Sequence, residues 1–289
     1  MRKFALGCHH YALLTLLCWS SAFVLTKVAL RHFSAPSLGL ARCAIACLAF
    51  ACLARSGRLA PPRAADLPLF LLSGLTGFSV YLLLFNRGAE SLDPTTSCII
   101  VATAPIITAL LAGLFFRERL GALGWTAIGL AFCGILILTL WNGSFSPGAG
   151  IVWTEAAALS ISCYSLLQRK LTRDYGALRV TAYSFFLGTP VLFYFAPQTA
   201  AELQSASFAQ LANACYLGLF PSAAAYLLWS KAFSVAPKTS TVTNYMFLTP
   251  FLALLMEYLV IAQIPGPETF AGGAVILGSL FLFAKAGKG

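Results

Sequence analysis

The sequence predicts an all-α membrane protein of ten transmembrane helices arranged as two inverted five-helix repeats. Three observations carry that reading. The chain of 289 residues is 59% hydrophobic and 10% charged, whereas a soluble domain carries about 25% charged residues. Its apolar runs match the roughly 20 helical residues that cross about 30 Å of hydrocarbon. The chain also repeats itself: Tyr81-Leu82-Leu83, Thr96, Pro105 and Leu110 recur as Tyr226-Leu227-Leu228, Thr241, Pro250 and Leu255, at an offset of roughly 145 residues.

The elements follow in order. The first helix, 11–30, runs from beyond Arg2-Lys3 to Arg31, too long for a signal-peptide core. The second, 37–54, ends at Arg55, and the third, 67–86, lies between Arg63 and Arg87. Asp93 and Arg117 bracket the fourth, 95–115, and the fifth, 121–140, runs from Arg119 to the Asn142-Gly143 turn. The sixth, 150–167, stops before Arg169-Lys170, and the seventh, 177–197, carries Arg179 at its start. The eighth, 209–230, ends at Lys231, the ninth, 239–260, follows Lys238, and the tenth, 269–285, follows Glu268. The second and sixth are short for a span. The domain boundary this implies separates residues 1–148 from 149–289.

Lysine and arginine concentrate in alternate loops, at Arg55, Arg58, Arg63, Arg117, Arg119, Arg169, Lys170 and Arg173. That bias places the basic loops and both termini in the cytoplasm of a cell-membrane protein. It also accounts for the net charge of +10 without nucleic acid as a partner. Five helices per half is an odd number, so the second half enters the membrane from the opposite face.

Eight of the nine cysteines lie in apolar runs, with no C-x-x-C and no Cys/His cluster, so no metal site is expected. No G-x-x-x-x-G-K-[ST] occurs, and no cofactor is expected. His9, His10 and His32 fall outside the apolar cores and no Asp-rich motif exists, which argues against an intramembrane enzyme. Unlike polar residues in the two halves fit a channel filter poorly. The expected partners are a small-molecule substrate and the lipid bilayer, with coupling to protons or to an exchanged substrate.

The candidate binding residues are the polar and aromatic groups at mid-membrane depth. Trp19 is the tryptophan nearest a helix centre, followed by Ser20 and Ser21, which either face a cavity or let helices approach. Tyr81 and Tyr226 form a matched pair; Thr103, Asn244 and Tyr245 add hydroxyl and amide groups. Trp125, Trp141, Trp153 and Trp229 are expected to anchor at the interface. Pro105 and Pro250 are expected to kink their helices, free the carbonyls of Val101 and Met246, and act as hinges. Among buried charges, Lys27 is expected to snorkel outward, while Arg42 and Glu257 either pair with each other or serve function. Glu257 is read as a gating or coupling residue.

Trp19-Ser20-Ser21-Ala22-Phe23, Arg42, Pro105, Phe116-Arg117-Glu118-Arg119-Leu120 and Pro250, in this order across two halves, resemble the drug/metabolite transporter superfamily. The match is to its EamA-type ten-helix exporters, and it covers essentially the whole chain. The chain departs from that pattern at Gln263, where the second half usually repeats the glutamate seen as Glu118. The resemblance implies secondary transport of small molecules by alternating access through a central cavity. An aromatic-walled cavity with few charges suits small amphipathic metabolites, first of all bulky or aromatic amino acids. The alternative is a nucleotide-sugar, nucleotide or drug carrier of the same fold; a phosphorylated cargo would require several basic groups facing the cavity.

Overall fold

A computed structural model describes residues 7–54, 59–116, 121–141, 148–235 and 244–286. Among them, eight helices are long and apolar enough to cross a membrane, with two shorter apolar helices between them. In chain order they are α1 (Cys8–Ala29), α2 (Ala35–Leu53), α3 (Ala64–Ala89), α4 (Pro94–Leu114) and α5 (Ala122–Leu138). Then follow α6 (Ala149–Tyr175), α7 (Ala177–Ser205), α8 (Phe208–Trp229), α9 (Thr249–Ile261) and α10 (Pro267–Lys285). The 117–120 part of the Phe116–Leu120 motif, Thr241 and the Asn142-Gly143 turn lie outside the described residues.

Packing between the halves is reciprocal. α1 packs on the second part of α8 as α6 packs on the second part of α3. α1 also packs on α9 as α6 does on α4, and α3 packs on α7 as α8 does on α2. α5 and α10, which occupy equivalent places, pack on each other. Gly134 and Gly272 bring those two backbones together: a Cβ on either would stand 2.9 Å from the other's carbonyl oxygen. Equivalent helices thus exchange partners, as a pseudo-twofold relation between repeats requires.

The repeat extends to a defect. Val80 N–H bonds the carbonyl of Leu75, and Ala225 N–H that of Phe220. These are wide, five-residue turns inside α3 and α8, and they stand at the same offset of roughly 145 residues.

Three expectations are corrected. The sixth helix continues well past 167, to Tyr175, because Leu171 remains buried against Phe70 and Val180 while Arg173 and Asp174 face outward. Gly176, at φ +72°, then ends it. The fourth helix breaks at Ala102–Thr103, so Pro105 is the second residue of a new segment, Ala104–Phe116. Pro250 likewise sits second in α9, after a 3₁₀ turn at Asn244–Leu248. Neither proline kinks a continuous helix; each occupies a first turn, where its missing N–H costs little.

Candidate functional site

The same two defects organise the centre of the bundle. Ser20 Oγ donates to the carbonyl of Thr249 at 3.2 Å, and Ser162 Oγ to that of Ala104 at 2.9 Å. Thr249 and Ala104 are the residues before the two prolines. Trp19 Nε1 donates to the carbonyl of Pro221 at 3.3 Å, and Ser160 Oγ to that of Thr76 at 2.7 Å. Pro221 and Thr76 are equivalent residues of the two wide turns, where the ladder is out of register and a carbonyl is turned aside. α1 and α6 thus capture these four acceptors among others; no such bond to the carbonyls of Val101 or Met246, which the prolines were expected to free, occurs among those described.

Ser20→Ala and Ser162→Ala are each expected to cost about 0.6 kcal/mol, and at most about 1.7, as hydrogen bonds between membrane helices do. Lipid gives the freed carbonyl no replacement donor. Unfolding midpoints of the single and double variants measure this. A substrate-binding loss without any stability loss would show that Ser20 contacts cargo instead.

Around this lattice stands a connected cluster of aromatic rings, called the chamber below for the space its rings border. Trp19 contacts Tyr226 edge-on with centroids 5.6 Å apart, and Trp229 at 5.3 Å. Phe78 follows, edge-on to Tyr226 at 5.6 Å and to Tyr164 at 5.2 Å. Tyr81 stacks on Phe85 at 5.8 Å, and Phe85 meets Phe23 edge-on at 5.4 Å. Trp19, Tyr81 and Tyr226 are half-buried although they lie deep in the bundle. Trp229, expected at the interface, belongs to this wall instead, because α8 carries it one turn beyond Tyr226 on the same face. Tyr164 and Phe78 were not singled out in the sequence.

Arg42 on α2 is the charge of the chamber, 5% exposed. Its Nη1 donates to Thr26 Oγ1 at 3.2 Å and its Nη2 to Ser222 Oγ at 3.5 Å; Nε is buried without a partner. Tyr81 and Tyr226 lie within electrostatic reach. Among the described residues no carboxylate pairs with it, so of the two alternatives the Arg42–Glu257 pair is not formed. A guanidinium at membrane depth costs about 2.5–3.5 kcal/mol on the insertion scale, and two neutral hydroxyls compensate it poorly.

Other candidates lie elsewhere. Ser21 turns toward a groove of about 660 Å³ between α1, α8 and α9, lined by Leu14, Leu17 and Met256, and shares a 2.9 Å hydrogen bond with Tyr216 Oη. Thr103 is buried and donates to Ile100 O at 2.7 Å, closing the break before Pro105. Tyr245 reaches His9 Nδ1 at 2.8 Å near the start of α1, and packs with Trp229 against Ala12 and Ala232. Asn244 opens the 3₁₀ turn, and its side chain lies outside the described residues. Lys27 does not snorkel freely: it donates to the carbonyls of Ala89 and Glu90, both at 2.9 Å, capping the end of α3. Asn86, overlooked in the sequence, is fully buried and donates to Ala35 O at 2.9 Å. An amide in an apolar run was the signal that could have found it.

Comparison with known proteins adds the following. Residues 7–140 and 148–285 each match the model of the EamA-like transporter family. An uncharacterized transporter, YdfC of Bacillus subtilis, is 29% identical over 93% of this chain and 89% of its own. A probable terminal-alkyne amino-acid exporter of Streptantibioticus cattleyicolor is 30% identical, covering 94% and 91% respectively. A protein crystal structure superposes with a TM-score of 0.62 at 16% identity, covering 97% of this chain and 98% of that one, which shows a shared fold.

Proposed function

This chain belongs to the EamA-like transporter family, and from that premise we propose that it exports small amphipathic carboxylates, foremost bulky or aromatic amino acids. One observation carries the reading: Arg42, a buried guanidinium without a counter-ion among the described residues, lies within reach of Tyr81 and Tyr226 in a chamber walled by Trp19, Phe78 and Tyr164. A substrate carboxylate supplies the missing charge, and guanidinium matches it with paired donors. The aromatic walls take the apolar side chain. The similar Streptantibioticus protein, named a probable terminal-alkyne amino-acid exporter, agrees with that chemistry. A nucleotide sugar would need further cations for its phosphates, and the Lys27 ammonium is occupied by two backbone carbonyls.

The cycle is alternating access of repeat 1–148 against repeat 149–289, with both termini cytoplasmic. The breaks before Pro105 and Pro250 serve as hinges, because the carbonyls there are held by single serine hydroxyls from the other repeat. A C-terminal reporter active only outside the cell would overturn the orientation.

Counterflow in proteoliposomes tests the substrate class. Phenylalanine, tryptophan and leucine are expected to exchange saturably, and their carboxamides at least about tenfold less, the cost of one charge-assisted hydrogen bond. Exchange of nucleotide sugars but not of amino acids would refute the reading.

A further inference from the structure

Beyond the contact of Phe23 with Phe85, at the end of the bundle remote from the N-terminus, lies a second polar cluster that anion binding by Arg42 does not use. Its centre is Glu257 on α9, with 0% of its surface exposed. Oε2 accepts from the amide of Thr95 at 2.9 Å and from its hydroxyl at 2.6 Å. Oε1 is buried and has no partner among the described residues. A carboxyl so enclosed does not extend to the headgroup region.

The groups that face it come from every element packed on α9. From α1 comes Lys27, within electrostatic reach. Before α4 stands Asp93, whose two oxygens accept from the amide and the hydroxyl of Thr96 at 2.7 and 2.6 Å. The Thr96 hydroxyl also meets Thr269 of α10 at 2.5 Å. Tyr245, in the turn before α9, lies at the opposite end against His9.

We infer that Glu257 is a proton-binding site that couples the transport cycle to a proton gradient. Its carboxylate takes a proton on Oε1 when the cluster opens to water on one side and returns it on the other; no other bond is made or broken. Opposing influences act on its two protonation states. Thr95's two donors, the N-terminus of α4 and Lys27 hold the ionised form, while complete burial and the Asp93 charge oppose it. The balance is tied to conformation because Thr95 belongs to one repeat and Glu257 to the other. Movement of α4 against α9 separates them, removes the donors and changes the proton affinity.

The inference goes beyond the substrate reading, and two measurements on the full-length protein keep the two apart. The first needs no substrate: infrared titration of the purified protein should show a carboxylic-acid stretch that comes and goes with pH and is missing in Glu257→Gln. The second compares efflux of the best-exchanged amino acid with and without an inward proton gradient. Wild type should be at least about fivefold faster with the gradient, and Glu257→Gln about equal, since glutamine keeps an acceptor for Thr95 but does not titrate. An unchanged infrared band, or a variant with the wild-type gradient ratio, overturns the proposal. A titrating band without transport of any amino acid in the panel sinks the substrate reading and leaves the proton site standing. Should Glu257→Gln not fold, Thr95→Val decides. Losing one donor to the ionised form should move the infrared midpoint by about one pH unit toward alkaline, and no movement overturns the assignment.

Discussion

Arg42→Gln is expected to abolish exchange of carboxylate substrates while leaving the empty protein folded, and as stable as wild type or more so. The two outcomes share a cause. Among the described residues Arg42 holds two long hydrogen bonds to neutral hydroxyls, and its buried Nε has no partner, so little depends on its charge and removing it ends a desolvation cost. On the proposed reading, a substrate carboxylate would meet the same charge away from bulk water. Hydrogen bonds involving charged groups contribute about 1.5–3 kcal/mol each. Losing a paired set lowers affinity by about 100-fold or more. Arg42→Lys should recover little, because an ammonium is a single point donor and cannot reach Thr26, Ser222 and a substrate at once. Binding by intrinsic tryptophan quenching and thermal unfolding check both halves of the expectation; Trp19 and Trp229 stand in the chamber wall. A variant that binds normally and melts early would make Arg42 a structural residue.

The sequence carried the architecture because lipid leaves few solutions. Every span must satisfy its own backbone, so length, hydropathy and loop charge give the helix order, and a recurrence such as Tyr81/Tyr226 reveals the repeat. What stayed hidden has physical reasons. The wide turns at 75–79 and 220–224 contain Gly77 and Pro221, but neither residue alone tells a wide turn from an ordinary kink. The paired serines were visible, but the carbonyls they capture depend on where α4 and α9 break. A proline read mid-run gives no sign that the helix has already ended three residues earlier. Arg42 and Glu257 were both legible as buried charges. Their separation was not, because opposite charges in one apolar chain suggest a pair until the packing shows Phe23 and Phe85 leading from the chamber toward Glu257. Leu171 extended α6 beyond the hydrophobic span through a contact with Phe70 and Val180, a tertiary cause that local composition does not contain.

The second large effect is steric. Gly74→Val and Gly188→Val are each expected to prevent accumulation of folded protein, or to destabilise it by about 3 kcal/mol or more, the upper end of overpacking. A Cβ on Gly74 would stand 2.1 Å from the carbonyl oxygen of Ser184 and 2.8 Å from the amide nitrogen of Gly188. A Cβ on Gly188 would stand 2.6 Å from the carbonyl carbon of Gly74. The obstacles on both sides are backbone atoms, which no rotamer change can move. The helices cannot easily part either, because Ser184 Oγ bonds Ser73 Oγ at 2.9 Å and Ser79 Oγ bonds Gly188 O at 2.8 Å. Next to this crossing, Phe78 and Phe185 stack with centroids 3.7 Å apart, so any separation of α3 and α7 also displaces the chamber wall at Phe78. The smaller Gly74→Ala should therefore lose exchange activity even where some folded protein survives. Gly129 and Gly278 provide the control. Nothing lies within 4 Å of a Cβ on either, and both sit inside helices, so alanine there should stabilise by about 0.5–1 kcal/mol. Fluorescence-detected size-exclusion profiles after graded heating separate these outcomes. A monodisperse, heat-resistant Gly74→Val would mean that α3 and α7 do not cross as closely as described.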